Sequence, residues 1–338
     1  MLSKMELIKQ VFGIDVSMDS FVSKVGTIAT DQQTEIGTLR DFKNTIQGFR
    51  PFYKFAQSQQ IEGVPQYFLM EATGVYYEAL AYFLKSKGAH VIVVLPNKAK
   101  YFAKTLTMKS KTDPIDAHML TQMGLEKRLC EWEPPSEQMK ELKLLTREHL
   151  SLKELKTDAM NRIHAKTHSF KPGKDTVKRL RREITLYETL IKEVELSIRS
   201  LLQRDFKMWV KIQNILRVNG VGLMTIAKVL AETNAFALIR NGKQLTSYAG
   251  LDVVFNDSGK HQGKTRISRK GNKHLRQSVY MPAISAIKSN PKLKTYYDRM
   301  LEKGKPKKVG VIAVARKLLL LIYFLWINET EYDPEYAG

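Results

Sequence analysis

The segment Val11-Phe12-Gly13-Ile14-Asp15-Val16 decides the fold of the first third of this chain. It is a short run of strand-forming residues that reaches an acidic residue, Asp15, near its end. Further strand patterns follow, at 21–27, 67–71 and 90–95. Helical patterns lie between and after them, at 42–57 with a break near Pro51, at 74–87 and at 114–126. This alternation predicts an α/β layered domain.

A break in the pattern sets the first domain boundary of the chain. Glu133-Pro134-Pro135 interrupts the helical pattern and ends a first domain, 1–133. We predict a helical coiled-coil hairpin over 134–205 and an α-rich basic domain over 206–338. The second helix of the hairpin carries apolar residues at steps of three and four, namely Val177, Leu180, Ile184, Tyr187, Ile191, Val194, Ile198 and Leu201. This seam packs either within its own hairpin or against a second chain.

Charge and composition narrow the class of partner. The chain has 338 residues and a formal net charge of +21, with 17 Lys or Arg against two acids between Ser258 and Lys317. A surplus of this size, concentrated in one domain, indicates a polyanionic partner, and nucleic acid is favoured over an anionic membrane surface. Cys130 is the only cysteine, which excludes an intrachain disulfide and a cysteine-based zinc site.

The hydropathy of the chain predicts a soluble protein. The apolar run at 318–326 has nine residues and Ile327 extends it by one, whereas a membrane span needs roughly 20. We therefore expect a buried helix there. The N-terminal residues 1–10 are charged and mixed, without the apolar core of a signal peptide, so we expect a cytoplasmic protein.

Four acidic residues stand out by their positions. Asp15 and Glu71 lie at the ends of predicted strands, and Asp113 and Asp116 lie one turn apart at the start of a predicted helix, with Asp113 as its N-cap. Strand ends and a helix turn can converge on one point, and carboxylate clusters of this kind bind Mg²⁺. Two such ions, roughly 4 Å apart, stabilise the attacking and leaving oxygens of a phosphate displacement. For Asp113 and Asp116 alone, helix capping and compensation of the helix dipole fit equally well.

The strand order and the spacing Asp…Glu…Asp-x-x-Asp resemble a RuvC-like nuclease domain of the RNase H fold. The strings Gly13-Ile14-Asp15, Met70-Glu71-Ala72-Thr73-Gly74 and 111–117 look like those of the DEDD insertion-sequence transposases related to the Piv invertases. This resemblance implies that the four acids are catalytic and bind Mg²⁺. A Gly-Ile-Asp strand also opens the actin-like kinases and ATPases, but the glycine-rich phosphate loops of those proteins are not found here.

Glycines in the C-terminal part favour close contact with a phosphate backbone. Gly220 and Gly222 precede a predicted helix in a string that resembles a helix-hairpin-helix, with a plain turn between two helices as the alternative. Farther along, cations alternate with small polar residues, which favours a phosphate-clamping loop over a solvated face. The residues predicted to contact nucleic acid there are Lys264, Arg266, Ser268, Arg269, Lys270, Asn272, Lys273 and Arg276.

The resemblance to the same transposases continues around residue 258. Tyr248-Ala249-Gly250-Leu251 and Asn256-Asp257-Ser258-Gly259 are similar to strings that carry a catalytic serine in that family. The resemblance implies that Ser258 is the nucleophile of a serine recombinase, with Ser268 as the second candidate. No Ser-His-Asp triad is recognisable near either serine.

Three functions stay open at this point. The resemblance implies a transposase that cleaves and rejoins donor and target DNA through a phosphoserine link, guided by a structured non-coding RNA and assembled as a homo-oligomer. A hydrolytic RuvC-type DNA nuclease, in which Ser258 is an ordinary loop residue, is the alternative. A non-catalytic nucleic-acid-binding protein with structural acids is the third.

Overall fold

The computed structural model describes residues 6–106, 112–171, 173–237, 239–254, 257–258, 261–262 and 265–333, with the backbone alone at 257–258 and 261–262. The chain forms two compact units, Met1–Pro134 (unit 1) and Pro135–Gly338 (unit 2). Among the described residues, unit 1 has one hydrophobic cluster on each face of its sheet, and unit 2 has a single large one. The division falls between two consecutive prolines.

Unit 1 is built on a five-stranded sheet in the order β3-β2-β1-β4-β5. The strands are β1 (Leu7–Val16), β2 (Ser20–Ala29), β3 (Thr34–Lys43), β4 (Gln66–Glu71) and β5 (His90–Val94). The first three form an antiparallel meander, and β4 and β5 run parallel to β1. The central strand β1 therefore ends at the same edge of the sheet as β4 and β5.

Helices cover both faces of this sheet. They are α1 (Ile46–Ser58), α2 (Glu78–Ser86), α3 (Pro96–Thr105) and α4 (Asp113–Glu126). Side chains of β1 alternate between the faces. Phe12 and Ile14 belong to the cluster with α1 and α2, whereas Val11 belongs to the cluster with α3 and α4.

Two glycines allow α4 to lie directly on β1. A Cβ at Gly13 would come within 2.2 Å of the Thr121 backbone nitrogen, and a Cβ at Gly124 within 2.5 Å of Val11 Cγ1. Because the later helix residue contacts the earlier strand residue, α4 runs antiparallel to β1. The first turn of α4 therefore lies toward the end of β1 that carries Asp15.

Several elements of unit 1 differ from the prediction. Residues 34–43 form β3, where the sequence pattern gives no strand, because most of this edge strand is exposed. Helix α1 begins only at Ile46, and it continues through Pro51, where a break is predicted. The N-cap of α4 is Thr112, whereas Asp113 is the first residue of the helix itself.

Unit 2 opens with an antiparallel helical hairpin, α5 (Glu137–Thr167) and α6 (Lys174–Gln203). Three ion pairs and one histidine–carboxylate hydrogen bond cross it in one register. The ion pairs are Glu141–Arg204, Lys156–Glu188 and Arg162–Glu183, and the hydrogen bond is His149–Glu195. The seam of α6 is buried deepest at Leu180, Val194, Ile198 and Leu201. Since α5 packs along α6 in the same chain, the seam is used within the hairpin.

The rest of unit 2 is mostly helical. Its helices are α7 (Phe206–Leu216), α8 (Leu223–Thr233), α9 (Gly242–Tyr248), α10 (Lys273–Ser289), α11 (Pro291–Glu302) and α12 (Lys307–Asn328). Helix α12 has the length and composition of a membrane span, but 44% of its most apolar window is buried inside the protein. Leu318, Leu319 and Ile322 are fully buried, and α12 packs on α10 and α11. It is therefore a core helix of this unit.

Candidate active site and nucleic-acid interface

Asp15 and Glu71 lie side by side at one edge of the sheet. β1 and β4 pair in parallel, and their last register pair joins Ile14 to Met70, so each acid is the next residue of its strand. Neighbouring strands are about 4.8 Å apart. Because side chains alternate, both acids point away from the α1 and α2 face and toward the face that carries α4. We call this edge the acid edge.

The first turn of α4 brings two more acids to the acid edge. Asp113 and Asp116 both belong to that turn. A Cβ at Gly13 would also contact the Ala117 carbonyl, which fixes where the helix meets β1. From Ala117 back to Asp113 the helix rises about 6 Å. From Gly13 on to Asp15 the strand advances about 7 Å in the same direction. All four acids therefore lie toward one end of unit 1.

The donor chemistry at the acid edge fits Mg²⁺, which prefers oxygen ligands and carboxylates in particular. Asp15, Glu71 and Asp116 are partly exposed, and Asp113 is exposed. Glu71 accepts a hydrogen bond of 2.9 Å from Thr73 Oγ1. Within the described residues, no three His, Cys, Asp or Glu side chains lie close enough to hold a metal ion together. The four acids thus share an edge, and gathering them around an ion requires side-chain movement.

Asn44 connects the loops that flank the acids. Its Nδ2 donates to the carbonyl of Ser17, at 2.8 Å, and to that of Tyr76, at 3.1 Å. The first carbonyl lies just after β1 and the second lies in the loop after β4. The backbone N–H of Asn44 donates to the Asp19 carbonyl at 2.8 Å. One side chain therefore fixes the spacing of the two loops that follow Asp15 and Glu71.

We expect Asn44→Ala to lower the stability of unit 1 by about 1–2 kcal/mol, the cost of lost hydrogen bonds. If Asp15 and Glu71 are catalytic, as the sequence predicts, the same change also slows DNA cleavage by about 10- to 100-fold, because small displacements of catalytic groups are costly. Urea unfolding and a cleavage rate at saturating DNA measure the two effects. The matched control is Gln60→Ala, whose amide bonds the carbonyls of Ile61 and Val64 at the opposite edge. An equal loss of cleavage in both variants would contradict a positioning role for Asn44.

Exposed apolar side chains surround the acid edge. Met18 follows β1 and is 61% exposed, Tyr76 follows β4 and is 43% exposed, and Leu95 follows β5 and is 48% exposed. Each lies just beyond the carboxyl end of a strand, and so near Asp15 and Glu71. Large apolar side chains that are exposed together mark a binding surface. The acid edge thus combines acids with a surface suited to contact bases or apolar groups.

Ser258 lies in a β-hairpin segment of unit 2. β6 (Val253–Val254) pairs with β9 (Arg266–Ile267), and between them β7 (Asp257–Ser258) pairs with β8 (His261–Gln262). The base of the segment is closed because the Ser268 N–H donates to the Asp252 carbonyl and Ser268 Oγ bonds Asp252 Oδ1. Ser258 is thus held on a hairpin rather than in the helical core, and Ser268 has a structural partner.

The basic stretch at 264–276 contains two kinds of residue. Exposed cations form the first kind: Arg266, Arg269, Lys270 and Lys273. Lys264 lies outside the described residues. The second kind shapes the loop: Arg276 Nη1 donates to the Ala249 carbonyl at 2.7 Å, and Asn272 caps α10. The sequence prediction treats all these residues as nucleic-acid contacts, whereas the polar groups of the second kind also bond within the fold.

A buried carboxylate, Glu232, anchors this stretch. Its side chain is 3% exposed and receives two hydrogen bonds from Arg147, at 3.0 and 3.1 Å, and one from Asn272 Nδ2, at 2.7 Å. Burial is the largest influence and raises the pKa of Glu232. The hydrogen bonds from Arg147 and Asn272 and the charges of Arg147 and Lys143 outweigh it, so the pKa lies below its usual value. Glu232 therefore stays ionised and joins α5, α8 and the start of α10.

The two predicted glycines lie in the turn between α7 and α8. Gly220 has a φ of +95°, and a Cβ there would meet the Ala286 backbone nitrogen at 2.5 Å. Gly222 is the N-cap of α8, it is exposed, and a Cβ there would meet nothing within 4 Å. Open backbone at a helix N-terminus suits a phosphate contact, which stays a prediction here.

Sequence reasoning missed Asn44, Arg147 and Glu232. Each acts through bonds to residues far away in the sequence, such as the 85 positions between Arg147 and Glu232. One signal was available for Glu232, because it is the only acid in the mainly apolar helix pattern 223–233, and acids are rarely fully buried without a partner.

Comparisons with known proteins cover both units. The family described as "Transposase", of the DEDD type, matches residues 12–172, and the "Transposase IS116/IS110/IS902 family" matches residues 212–298. The pilin gene-inverting protein of Moraxella lacunata is 29% identical, over 96% of this chain and 98% of the relative. The insertion element IS900 uncharacterized 42 kDa protein of Mycobacterium paratuberculosis is 28% identical, over 49% of this chain and 42% of the relative.

A solved structure of the Ppx/GppA family from Aquifex aeolicus also matches, at 12% identity. The match covers 96% of this chain and 92% of that chain, with a TM-score of 0.22. A TM-score this low carries no argument about fold or function.

Proposed function

Because the chain belongs to the IS116/IS110/IS902 family of transposases, enzymes that act on DNA, we propose that it cleaves and rejoins DNA through a covalent link to Ser258. The acids Asp15, Glu71, Asp113 and Asp116 are the second half of this proposed site. The observation that carries the proposal is the shared edge of these acids, set by the parallel register of β1 and β4 and by the contact of α4 with Gly13.

We assign unit 1 to the RuvC-like type of the RNase H fold. The sheet order β3-β2-β1-β4-β5, with β2 alone antiparallel to its neighbours, supports this assignment. So does the placement of acids at the ends of the two central strands and on a helix that crosses them. The same placement supports catalysis on phosphodiesters. Carboxylates that lie together can bind metal ions, and the ions place positive charge where a phosphate reacts.

The proposed covalent step exchanges one phosphate ester for another. Ser258 Oγ attacks the scissile phosphorus, the new Oγ–P bond forms, and the bond from phosphorus to one strand oxygen breaks. The serine proton passes to solvent, and the departing strand oxygen takes up a proton to leave as a hydroxyl. Rejoining reverses these changes with a hydroxyl of another strand. The ester energy is kept, so no nucleotide cofactor is required.

Asp15, Glu71, Asp113 and Asp116 would hold Mg²⁺, which when bound stabilises negative charge on the phosphate oxygens. Their carboxylates also exclude other anions from the edge while no cation is present. Asp257 precedes Ser258 in β7, and His261 is its register partner across the hairpin. We assign neither of them as the base, and we propose that Ser258 depends on groups brought from elsewhere. Since Ser258 and the acids lie in different units, we propose that they meet when DNA and a second copy of the chain are bound.

Exposed cations beside the serine hairpin of unit 2 would bind the donor and target DNA and a structured guide RNA. Arg266, Arg269, Lys270 and Lys273 are exposed next to the serine hairpin, which supports this role. Residues 258–317 contain 17 Lys or Arg and only two acids, which is enough positive charge to bind more than one nucleic-acid strand. We place this activity in the bacterial cytoplasm, at the nucleoid, and in a dimer or tetramer.

The experiment that tests the proposal traps the covalent link. The protein is incubated with Mg²⁺, RNA from its own element and labelled DNA sites, and then denatured. We expect a protein–DNA adduct that Ser258→Ala abolishes. The matched control is Ser268→Ala, a serine of the same segment whose hydroxyl bonds Asp252. We expect this control to retain the adduct.

Two other results would replace the proposal. Cleavage that survives Ser258→Ala but not Asp15→Asn identifies a hydrolytic RuvC-type nuclease. Tight DNA binding without cleavage in the presence of Mg²⁺ and RNA identifies a non-catalytic binding protein.

A further inference from the structure

A small cavity lies among three helices of unit 2, beside the start of α10. Its volume is about 70 Å³, and its lining includes Arg147 on α5, Lys228 and Glu232 on α8, and His274 and Gln277 on α10. A bulk water molecule takes up about 30 Å³. The cavity therefore has room for two waters or one tetrahedral oxyanion, and it is too small for a nucleobase with its sugar.

Lys228 brings a positive charge to this cavity without a matching negative charge. Within the described residues, its ammonium group makes no hydrogen bond and no ion pair. Burial is the main cause that lowers the pKa of Lys228. The charge of Lys153 lowers it further, while Glu195 partly offsets them. A half-buried ammonium group without a partner lowers the stability of the fold unless an anion binds to it.

The negative charge of Glu232 does not serve Lys228, because both of its oxygens are already bonded. Arg147 donates one hydrogen bond to each oxygen, and Asn272 Nδ2 donates a second to Oε2. Glu195 likewise accepts from His149 Nε2, at 2.9 Å. Glu232 on the cavity wall and Glu195 are thus both bonded to other donors.

His274 offers a second unfilled group at the same cavity. Its Nδ1 is buried and has no hydrogen-bond partner among the described residues. Burial first, and then the charge of Arg147, lower the pKa of His274, so the ring is neutral near pH 7 and carries a single N–H. Gln277 lies one turn farther along α10 and adds an amide to the lining. Cation, imidazole and amide together form the donor set of a phosphate site.

We propose that this cavity binds one backbone phosphate of a nucleic-acid strand, through Lys228, His274 and Gln277. The inference rests on the proposed function for the identity of the strand, which is the DNA or RNA on which the protein acts. The position of the cavity supports it. Asn272, which bonds Glu232 at the cavity wall, lies within the basic stretch 264–276 that follows the serine hairpin. A phosphate held here fixes the strand beside that hairpin.

The test removes the charge of Lys228 and keeps most of the length of its side chain. Lys228→Met is compared with Lys294→Met, which removes one exposed charge from α11 of the same unit. Binding of a single-stranded DNA and an RNA of equal sequence is measured by fluorescence anisotropy from 50 to 300 mM salt, in the Ser258→Ala background. We expect Lys228→Met to weaken binding by about tenfold. The slope of log K against log salt falls by about 0.7 for a single strand.

Three patterns support the inference and identify the strand. Loss in the DNA arm alone assigns the phosphate to DNA, loss in the RNA arm alone assigns it to RNA, and loss in both assigns a backbone contact common to the two. We also expect Lys228→Met to melt at a higher temperature than the wild type when no anion is added, since an unpaired half-buried charge is gone. Inorganic phosphate, at constant ionic strength, is expected to stabilise the wild type more than the variant.

The inference is overturned if Lys228→Met weakens binding of neither strand more than Lys294→Met does. A second variant, Gln277→Leu, keeps the test decisive if Lys228→Met folds poorly, because it removes the amide alone and is expected to weaken binding by about threefold. Because binding is measured without the serine, this result is independent of the adduct assay. An adduct that persists in Ser258→Ala would remove the proposed function and leave the phosphate site standing.

Discussion

Replacing Asp15 by Asn is expected to abolish Mg²⁺-dependent DNA cleavage and to leave the fold of unit 1 intact. Asp15 follows Ile14 at the end of the central strand and lies beside Glu71. An amide keeps the size of the carboxylate and removes its charge. Loss of one charged group from a site that stabilises a reacting phosphate costs about 10³-fold in rate. Asp15 is partly exposed, so the same change has little effect on stability.

Two measurements check this expectation. The first is the rate of cleavage across a Mg²⁺ titration, and the second is the rise in melting temperature that Mg²⁺ produces in the free protein. Asp31→Asn is the matched control. Asp31 lies in the turn after β2, at the opposite edge of the sheet, and its carboxylate accepts from the Gln33 N–H at 3.0 Å. Wild-type cleavage and an unchanged Mg²⁺ response in Asp15→Asn would remove the acids from the site.

The order of elements in unit 1 could be predicted because its central strands are buried. Val11, Phe12 and Ile14 form an apolar run, and the runs at 67–71 and 90–95 have the same character. Strand β3 escaped prediction because it is an exposed edge strand. Most of its residues face solvent, and the strand is held by its backbone pairing with β2 rather than by burial of apolar side chains. The local apolar pattern therefore predicts the central strands of the sheet but not its exposed edge strand.

For the candidate site, the sequence predicts that the acids lie at the ends of strands and helices, but not that they share one edge. Strand ends gave Asp15 and Glu71, and the helix start gave Asp113 and Asp116. That these four share one edge depends on the contact of Gly13 with Thr121, which no periodicity reveals. A small residue in a strand is compatible with a turn, a bulge or a close helix, and only the fold selects among them.

Polar contacts between distant residues were the least predictable part. Glu232 is bonded to Arg147 and Asn272, which lie in α5 and before α10. The helical hairpin was predicted from its own seam, but its attachment to the rest of unit 2 depends on such contacts. In the sequence, such a contact is detectable only as a charged residue within a mainly apolar helix pattern. The charged residue indicates that a buried partner exists but does not identify that partner.

The ion pair that joins α5 to α8 is expected to be worth far more than those on the hairpin surface. Arg147→Met should lower the free energy of unfolding of unit 2 by about 3 kcal/mol, because it leaves the carboxylate of Glu232 buried with one donor. This loss of stability is at the lower end of the range for breaking a buried ion pair, because Arg147 is 47% exposed and partly solvated. Arg162→Met, on the same helix, breaks exposed pairs with Asp158 and Glu183 and should cost less than 1 kcal/mol. Urea unfolding of the two variants at pH 7 makes the comparison.

The pH dependence of this loss identifies its origin. In the wild type the pKa of Glu232 is lowered, so its contribution to stability is present above the ordinary value of 4.5 and is lost as the pH falls through the lowered pKa. In Arg147→Met the effect of burial is no longer outweighed, so the pKa rises and the charged form destabilises the fold at neutral pH. The difference between wild type and variant should therefore be largest near pH 7 and narrow below about pH 4.5. A difference that is constant with pH would assign the loss to packing of the arginine side chain instead.

Removing both partners separates the cost of the orphaned charge from the value of the pair. Arg147→Met combined with Glu232→Met leaves no buried carboxylate, so it should recover more than half of the stability lost in Arg147→Met. Recovery is incomplete because Asn272 Nδ2 then lacks its acceptor. If the double variant is no more stable than Arg147→Met, the coupling between the two residues is absent. In that case Glu232 does not hold the helical hairpin to the helices that follow it.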